Sequence, residues 1–240
     1  MYPVLFEIFG RQVGTYGVFL IIGAVAAWFH VKLLEERKNP DTHLVFLICI
    51  CGGLIGAFLL RPLMKVPEII INWDHFRQMP VGFVLSFIFG EIVFYGGLIG
   101  GTVALILFCK GFKIPMLPVA DLFAPALALA HGFGRIGCFF GGCCYGITSL
   151  PIQLIEAVSL FILAGILSIV YKKTAGSGFT LCLYGLLYSV LRFILEFFRG
   201  DQIRGIYGLF STSQYISAVI FVICVILGII LIKRRKRHAV

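Results

Sequence analysis

Seven long apolar runs, separated by short polar links, organise this chain: about 14–31, 43–60, 81–109, 117–133, 152–171, 179–197 and 212–232. Most are near the roughly 20 residues that a helix needs to cross a ~30 Å hydrocarbon core. A membrane barrel would instead show segments of about ten residues with alternating hydrophobicity. The pattern therefore predicts an all-α, polytopic integral membrane protein with seven transmembrane helices. The third run is interrupted by Tyr95-Gly96-Gly97-Leu98-Ile99-Gly100-Gly101, which fits either one tilted helix or a helix with an irregular turn. The fourth is short and holds Asp121 and Pro125, so a broken or re-entrant segment is expected there.

Composition supports the same class. Residues are 60% hydrophobic and 13% charged, where a soluble domain is about 25% charged. No polar link is long enough to hold a soluble domain, so residues 1–240 read as one transmembrane domain with a basic tail from 233. Residues 1–14 carry no basic segment or small-residue cleavage pattern of a leader, and the first span is expected to be retained.

The net charge of +9 is distributed in a way that sets sidedness. Lys32, Arg37 and Lys38, then Lys110 and Lys113, then Lys172 and Lys173, then Lys233 to Arg237 all fall on one side of seven crossings. That side is predicted to be cytoplasmic, with the amino terminus outside. The 61–80 link, with Arg61, Lys65 and Arg77, opposes this, but Glu68 and Asp74 accompany its bases. The terminal basic cluster reads as an anchor on anionic lipid and not as a nucleic-acid site.

Chemistry concentrates in one stretch, His131-Gly132-Phe133-Gly134-Arg135-Ile136-Gly137-Cys138-Phe139-Phe140-Gly141-Gly142-Cys143-Cys144-Tyr145-Gly146. Arg135 either snorkels to the interface or meets an anion, and a guanidinium grips phosphate or carboxylate bidentately. Arg192 and Glu196 stand i,i+4 on the sixth span with Arg199 near the same face, and Asp201 and Arg204 follow. Arg135 and Arg192 together would make a cationic pocket for a lipid phosphate. Tyr16, Tyr95, Gln153, Glu156 and His131 are further polar candidates beside or within apolar runs. For Cys138, Cys143 and Cys144 a structural role, as a disulfide or packed thiols, ranks ahead of a reactive thiolate. Metal ranks last, because C-x4-C-C is a poor match to a zinc half-site and has no partner pair. No cofactor and no metal is expected.

Taken together, these blocks resemble the prolipoprotein diacylglyceryl transferases of bacterial inner membranes. The family signature G-R-x-G-N-F, then N-x-E-x-x-G, is matched by Gly134-Arg135-Ile136-Gly137-Cys138-Phe139 with Gly141, Cys143 and Gly146. Tyr16-Gly17, Gly96-Gly97-Leu98-Ile99-Gly100, Ala120-Asp121 through Pro125, Pro151 to Glu156, Arg192 to Arg199 and Gly208-Ser211-Gln214-Ser217 resemble further family blocks, in family order. The resemblance implies a seven-helix enzyme open to the outer leaflet. It would move the diacylglyceryl group of phosphatidylglycerol to the lipobox cysteine of a secreted preprolipoprotein. Arg135 and Arg192 would hold the headgroup, Glu196 would orient an arginine, and Tyr16, Gly96, Gly97, Gly134, Gly137, Gln153, Glu156 and Arg199 would line the substrate site. Tyr95 stands where the family has a histidine, and a phenol is a poor base near neutral pH. Cys138 and Gly141 replace asparagines and Cys143 a glutamate, leaving His131 as the other candidate base. A phospholipid transferase with another acceptor, a small lipid transporter and a noncatalytic membrane subunit are the alternatives.

Overall fold

The computed structural model describes residues 4–8, 11–35, 40–89, 93–147, 150–201 and 205–237. A short antiparallel hairpin, β1 (Val4–Ile8) and β2 (Arg11–Gly14), leads into α1 (Thr15–Leu34). Then follow α2 (Pro40–Ile71), α3 (Trp73–Arg77), α4 (Val81–Phe89), α5 (Phe94–Gly111), α6 (Met116–Gly141), α7 (Ile152–Thr174) and α8 (Phe179–Glu196). A two-residue ribbon, β3 (Ile206–Tyr207) with β4 (Phe210–Ser211), precedes α9 (Thr212–Arg237). Seven of these helices, α1, α2, α5, α6, α7, α8 and α9, are long and apolar enough to cross a membrane. The all-α, multi-pass reading stands. Arg37, Lys38 and Arg204 lie outside the described residues.

Three boundaries differ from expectation. The run 81–109 is carried by two helices, α4 and α5, and Gly96, Gly97, Gly100 and Gly101 sit inside α5 instead of breaking it. The link after the second span is itself helical to Ile71, with Pro62 and Pro67 inside α2. The fourth span is neither short nor re-entrant: α6 runs unbroken for 26 residues through Pro125 and takes in the signature up to Gly141. Asp121, the residue that suggested a break, is fully buried and caps another helix. Its carboxylate accepts from Gly178 N at 2.7 Å and Leu181 N at 3.0 Å, satisfying donors that the first turn of α8 leaves open.

The chain divides into two compact units, residues 39–116 and residues 1–38 with 117–240. In the first, α2 and α5 pack backbone on backbone through Gly52, Gly56, Gly96 and Gly100. A Cβ on Gly52 would lie 2.5 Å from Ala104 Cβ, and one on Gly56, Gly96 or Gly100 would strike the facing carbonyl. These are small-xxx-small faces, the device by which membrane helices gain contact where lipid supplies no hydrophobic drive.

In the second unit, Ala128, Leu160, Leu163, Ala164 and Leu167 form a buried core between α6 and α7, extended by Leu183, Tyr184, Leu187 and Tyr188 of α8. Helix α1 crosses α6 at Gly137, where a Cβ would come 3.1 Å from both Phe19 Cβ and Tyr16 Cδ2. The starts of α1, α7 and α9 and the ends of α6 and α8 thus gather at one end of the unit. Lys32, Lys172, Lys173 and Lys233 lie at the other helix ends.

Candidate active site

The polar residues of three helices meet at that gathered end. Arg135 lies in the glycine-rich half of α6, one turn past Gly132, Glu156 in the second turn of α7, and Arg192 and Glu196 in the last turns of α8. Glu156 is the hub. Its Oε1 stands 3.1 Å from Arg135 Nε, and its Oε2 stands 3.5 Å from Arg192 Nη1. Arg192 Nη2 reaches Glu196 Oε2 at 2.8 Å, and Arg199 Nη1 meets the same oxygen at 3.4 Å. Asp201 closes the row with two bonds to Arg199, Nε to Oδ1 at 2.8 Å and Nη2 to Oδ2 at 2.5 Å.

Three guanidiniums face three carboxylates, so the expected cationic pocket is in fact an alternating, nearly neutral row. Glu156 is 2% exposed and Glu196 1%, burial that ionised groups tolerate only when paired and hydrogen-bonded. Burial works against the Arg199 charge. The Asp201 bonds, with Cys144 and Glu196 near, nevertheless hold its guanidinium above the usual arginine range. Ser213, in the first turn of α9, accepts from Arg192 Nη2 at 3.3 Å.

Tyr188 and Tyr184 extend the row inward, and sequence reasoning did not single them out. Tyr188 donates to Glu156 Oε1 at 3.1 Å, and the two ring nitrogens of His131 face the Tyr184 and Tyr188 hydroxyls at 3.4 Å each. His131 also sits edge-on to Tyr188, ring centroids 4.8 Å apart. It is therefore tied behind Glu156, where it steadies the hub. Their i,i+4 spacing on α8, continued to Arg192, was the signal available in the sequence.

The remaining candidates divide by place. Tyr16 lies at the start of α1 against Gly137, and Gly134 faces Leu20 of α1. Gln153 is buried and donates from Nε2 to Cys143 O at 2.7 Å, so it holds the loop after α6. Tyr95, Gly96 and Gly97 belong to the unit of residues 39–116, where Gly96 packs on α2 and the half-exposed Tyr95 stands edge-on to Phe94. Ser211 and Gln214 form a capping box at the start of α9, with Ser211 N donating to Gln214 Oε1 at 2.9 Å and Gln214 N to Ser211 Oγ at 3.3 Å.

Cys138, Cys143 and Cys144 are free thiols whose sulfur atoms all lie within 4.8 Å of one another. The loop that carries two of them is pinned to the end of α8 by Ile147 N to Phe198 O and Gly200 N to Tyr145 O, both 2.9 Å. Hydrogen bonds from Cys138 and Cys143 hold the Cys144 thiol well below the usual thiol range; burial opposes this, while Arg199 and Arg135 add to it.

A buried row of paired arginines and carboxylates, assembled from three spans at one end of a helical unit, suits a lipid with a phosphate headgroup. Comparison with known proteins gives the family. The prolipoprotein diacylglyceryl transferase family model matches residues 3–230. A phosphatidylglycerol–prolipoprotein diacylglyceryl transferase of Clostridium tetani is 36% identical over 93% of this chain and 95% of its own. A second protein of that name, from Clostridium perfringens, is 32% identical over 91% of both chains. A third, from Chlorobaculum tepidum, is 31% identical over 83% of this chain and 78% of its own. With Arg135, Arg192 and Glu156 inside the matched stretch, the chain belongs to the prolipoprotein diacylglyceryl transferase family.

Proposed function

We propose that this protein transfers the diacylglyceryl group of phosphatidylglycerol to the lipobox cysteine of secreted prolipoproteins, at the outer leaflet of a bacterial cytoplasmic membrane. The observation that carries the reading is the sharing of Glu156 by Arg135 and Arg192 in a buried site between spans. In the reaction a thiolate sulfur attacks the glyceryl carbon that bears the phosphate oxygen. The C–S bond forms, the C–O bond breaks, and its electron pair leaves on glycerol phosphate. The phosphodiester carries one negative charge and the departing monoester up to two. Guanidiniums already oriented toward that oxygen therefore favour the transition state over the bound lipid. Glu156 and Glu196 supply the orientation.

Sidedness follows from charge: within the unit of residues 1–38 and 117–240, the site end is opposite Lys32, Lys172, Lys173 and Lys233, and lysines favour the cytoplasmic side. The amino terminus is then outside and the carboxyl terminus inside. A second reading, the same donor with another acceptor, is favoured by Tyr95 and the three cysteines, which depart from the resembled signature on the acceptor side. One assay separates the two. Purified protein receives labelled phosphatidylglycerol with or without a lipobox peptide, and peptide adduct and glycerol phosphate are both followed. Peptide-dependent release of glycerol phosphate with a thioether adduct is expected. Release without any adduct would favour the second reading, and no release in either arm would refute both.

A further inference from the structure

The row of ion pairs leaves one constellation unused. Cys138 is buried in the last turn of α6, Cys143 is exposed and Cys144 half-buried, yet their sulfur atoms converge within 4.8 Å. The convergence comes from the fold, since C-x4-C-C spacing alone does not supply it. Gly142 (φ +76) and Cys144 (φ +56) both take left-handed backbone, which turns the chain back over the end of α6. Cys143 N then donates to Cys138 O at 3.2 Å, and Gln153 fixes the Cys143 carbonyl from α7.

We propose that these three thiols bind a soft d10 cation, with Zn2+ the first case, and that the open fourth position receives the acceptor's cysteine sulfur. This rests on the transferase reading above. Tetrahedral zinc with Zn–S of about 2.3 Å sets its sulfurs roughly 3.8 Å apart, so the cluster needs to contract by about 1 Å at most. Three protein ligands with a vacant fourth position is the pattern of catalytic zinc, whereas structural sites are closed by four. Three thiolates and a divalent ion carry net −1. Two guanidiniums lie beside it: Arg135, one turn before Cys138 on the same helix face, and Arg199, whose backbone pairs with Gly146 just beyond Cys144.

The chemistry supplies an ionised acceptor thiol. Both ring nitrogens of His131 face tyrosine hydroxyls, so it is not aimed at an incoming thiol. A metal-bound thiol is deprotonated outright. The acceptor RSH would bind as RS⁻ and release its proton to water. Its sulfur then forms the C–S bond to the glyceryl carbon as the C–O bond breaks toward the phosphate held by Arg135 and Arg192. The metal keeps its oxidation state, and the thioether product, a weaker ligand, leaves.

Cobalt provides the test, because its absorption reports ligands independently of turnover. Reduced, chelator-treated protein titrated with Co2+ should take up one equivalent and show sulfur-to-cobalt charge transfer with tetrahedral bands. A lipobox peptide should perturb the bands, and the same peptide with Cys→Ser should not. Cys138→Ser, Cys143→Ser and Cys144→Ser should each weaken cobalt binding by roughly 10–100-fold or more and reduce transfer in parallel. Cys143→His, still a ligand, should keep cobalt with shifted bands, and Cys51→Ser should match the parent. Transfer should fall on chelation and return with Zn2+ or Co2+. Failure of the reduced protein to bind cobalt through sulfur would overturn the inference, as would full transfer by chelated protein or by the Cys138/Cys143/Cys144 triple serine variant. So would bands that ignore the cysteine peptide, since the fourth position would then have another use. If the transferase reading itself is wrong, glycerol phosphate release is missing in every metal state while the cobalt spectrum still reports the site.

Discussion

Arg135 on α6 and Arg192 on α8 take opposite oxygens of a single carboxylate, Glu156 of α7, at 3.1 and 3.5 Å. Fifty-six residues separate the two arginines in sequence, and three helices must pack correctly before the pair exists. Glu156 thereby fixes where both guanidiniums point. Glu156→Gln keeps the side-chain shape and removes the charge that both arginines use. Misplacing a positioned group by about 1 Å can cost about 100-fold in rate, and a loss of that order is expected in glycerol phosphate release. Uncompensated buried cations should also lower stability by about 3–5 kcal/mol, read as thermal unfolding in detergent. Unchanged activity and melting would remove Glu156 from the hub.

Asp121 offers a contrast, a buried carboxylate whose work is structural. Asp121→Ala should cost about 0.5–2 kcal/mol through the lost cap of α8. Transfer measured well below the melting temperature should stay near the parent rate. A large loss of transfer in a still-folded Asp121 variant would contradict the capping role.

Glycine replacement should act in opposite ways where α2 meets α5 and where a helix meets nothing. Gly100→Val meets backbone of Gly52 and Gly56 and should destabilise by about 1–3 kcal/mol or more. Gly165→Ala in α7 meets nothing within 4 Å and should stabilise by about 0.5–1 kcal/mol. Equal melting temperatures for the two variants would count against the close α2–α5 approach.

Thiol labelling in reduced, cation-free protein should separate Cys144 from its neighbour. Because the Cys144 pKa is lowered in the folded state, its thiolate persists as pH falls from 9 to 6, whereas Cys143, pushed up, is already mostly protonated at the top of that range. In stability terms, the Cys144 contribution is complete above the usual thiol pKa of about 8.5 and is lost as pH falls toward its folded value. Iodoacetamide mapped by mass spectrometry should mark Cys144 ahead of Cys143 at pH 6, and Cys143 labelling should still be rising at pH 9. A parallel decline of the two would oppose the assignment.

Span number and class were legible because a roughly 20-residue apolar run has few other uses. The signature arginines and the Arg192–Glu196 face were legible from helical spacing. Four things were not. Periodicity cannot tell a polar break from a cap, so Asp121 suggested a re-entrant α6 when its partners, Gly178 and Leu181, lie about sixty residues on. A motif glycine looks alike whether it admits a ligand or a helix, and Gly96 turned out to lie against α2. Charge counting along Arg135 and Arg192 gave a cationic pocket because Glu156, which meets both, comes from another span. The convergence of the three thiols likewise depends on left-handed backbone at Gly142 and Cys144, which spacing does not encode.

If Arg135 and Arg192 act as one phosphate-holding unit, a double-mutant cycle on glycerol phosphate release will show it. Arg135→Gln and Arg192→Gln should each remove most of the rate. The double variant should be little worse than either single, because groups acting as a unit are strongly non-additive. Lysine at either position should restore little, since an ammonium lacks the guanidinium fork. Near-parental release from both folded glutamine variants would contradict the account, and so would losses that simply multiply in the double variant.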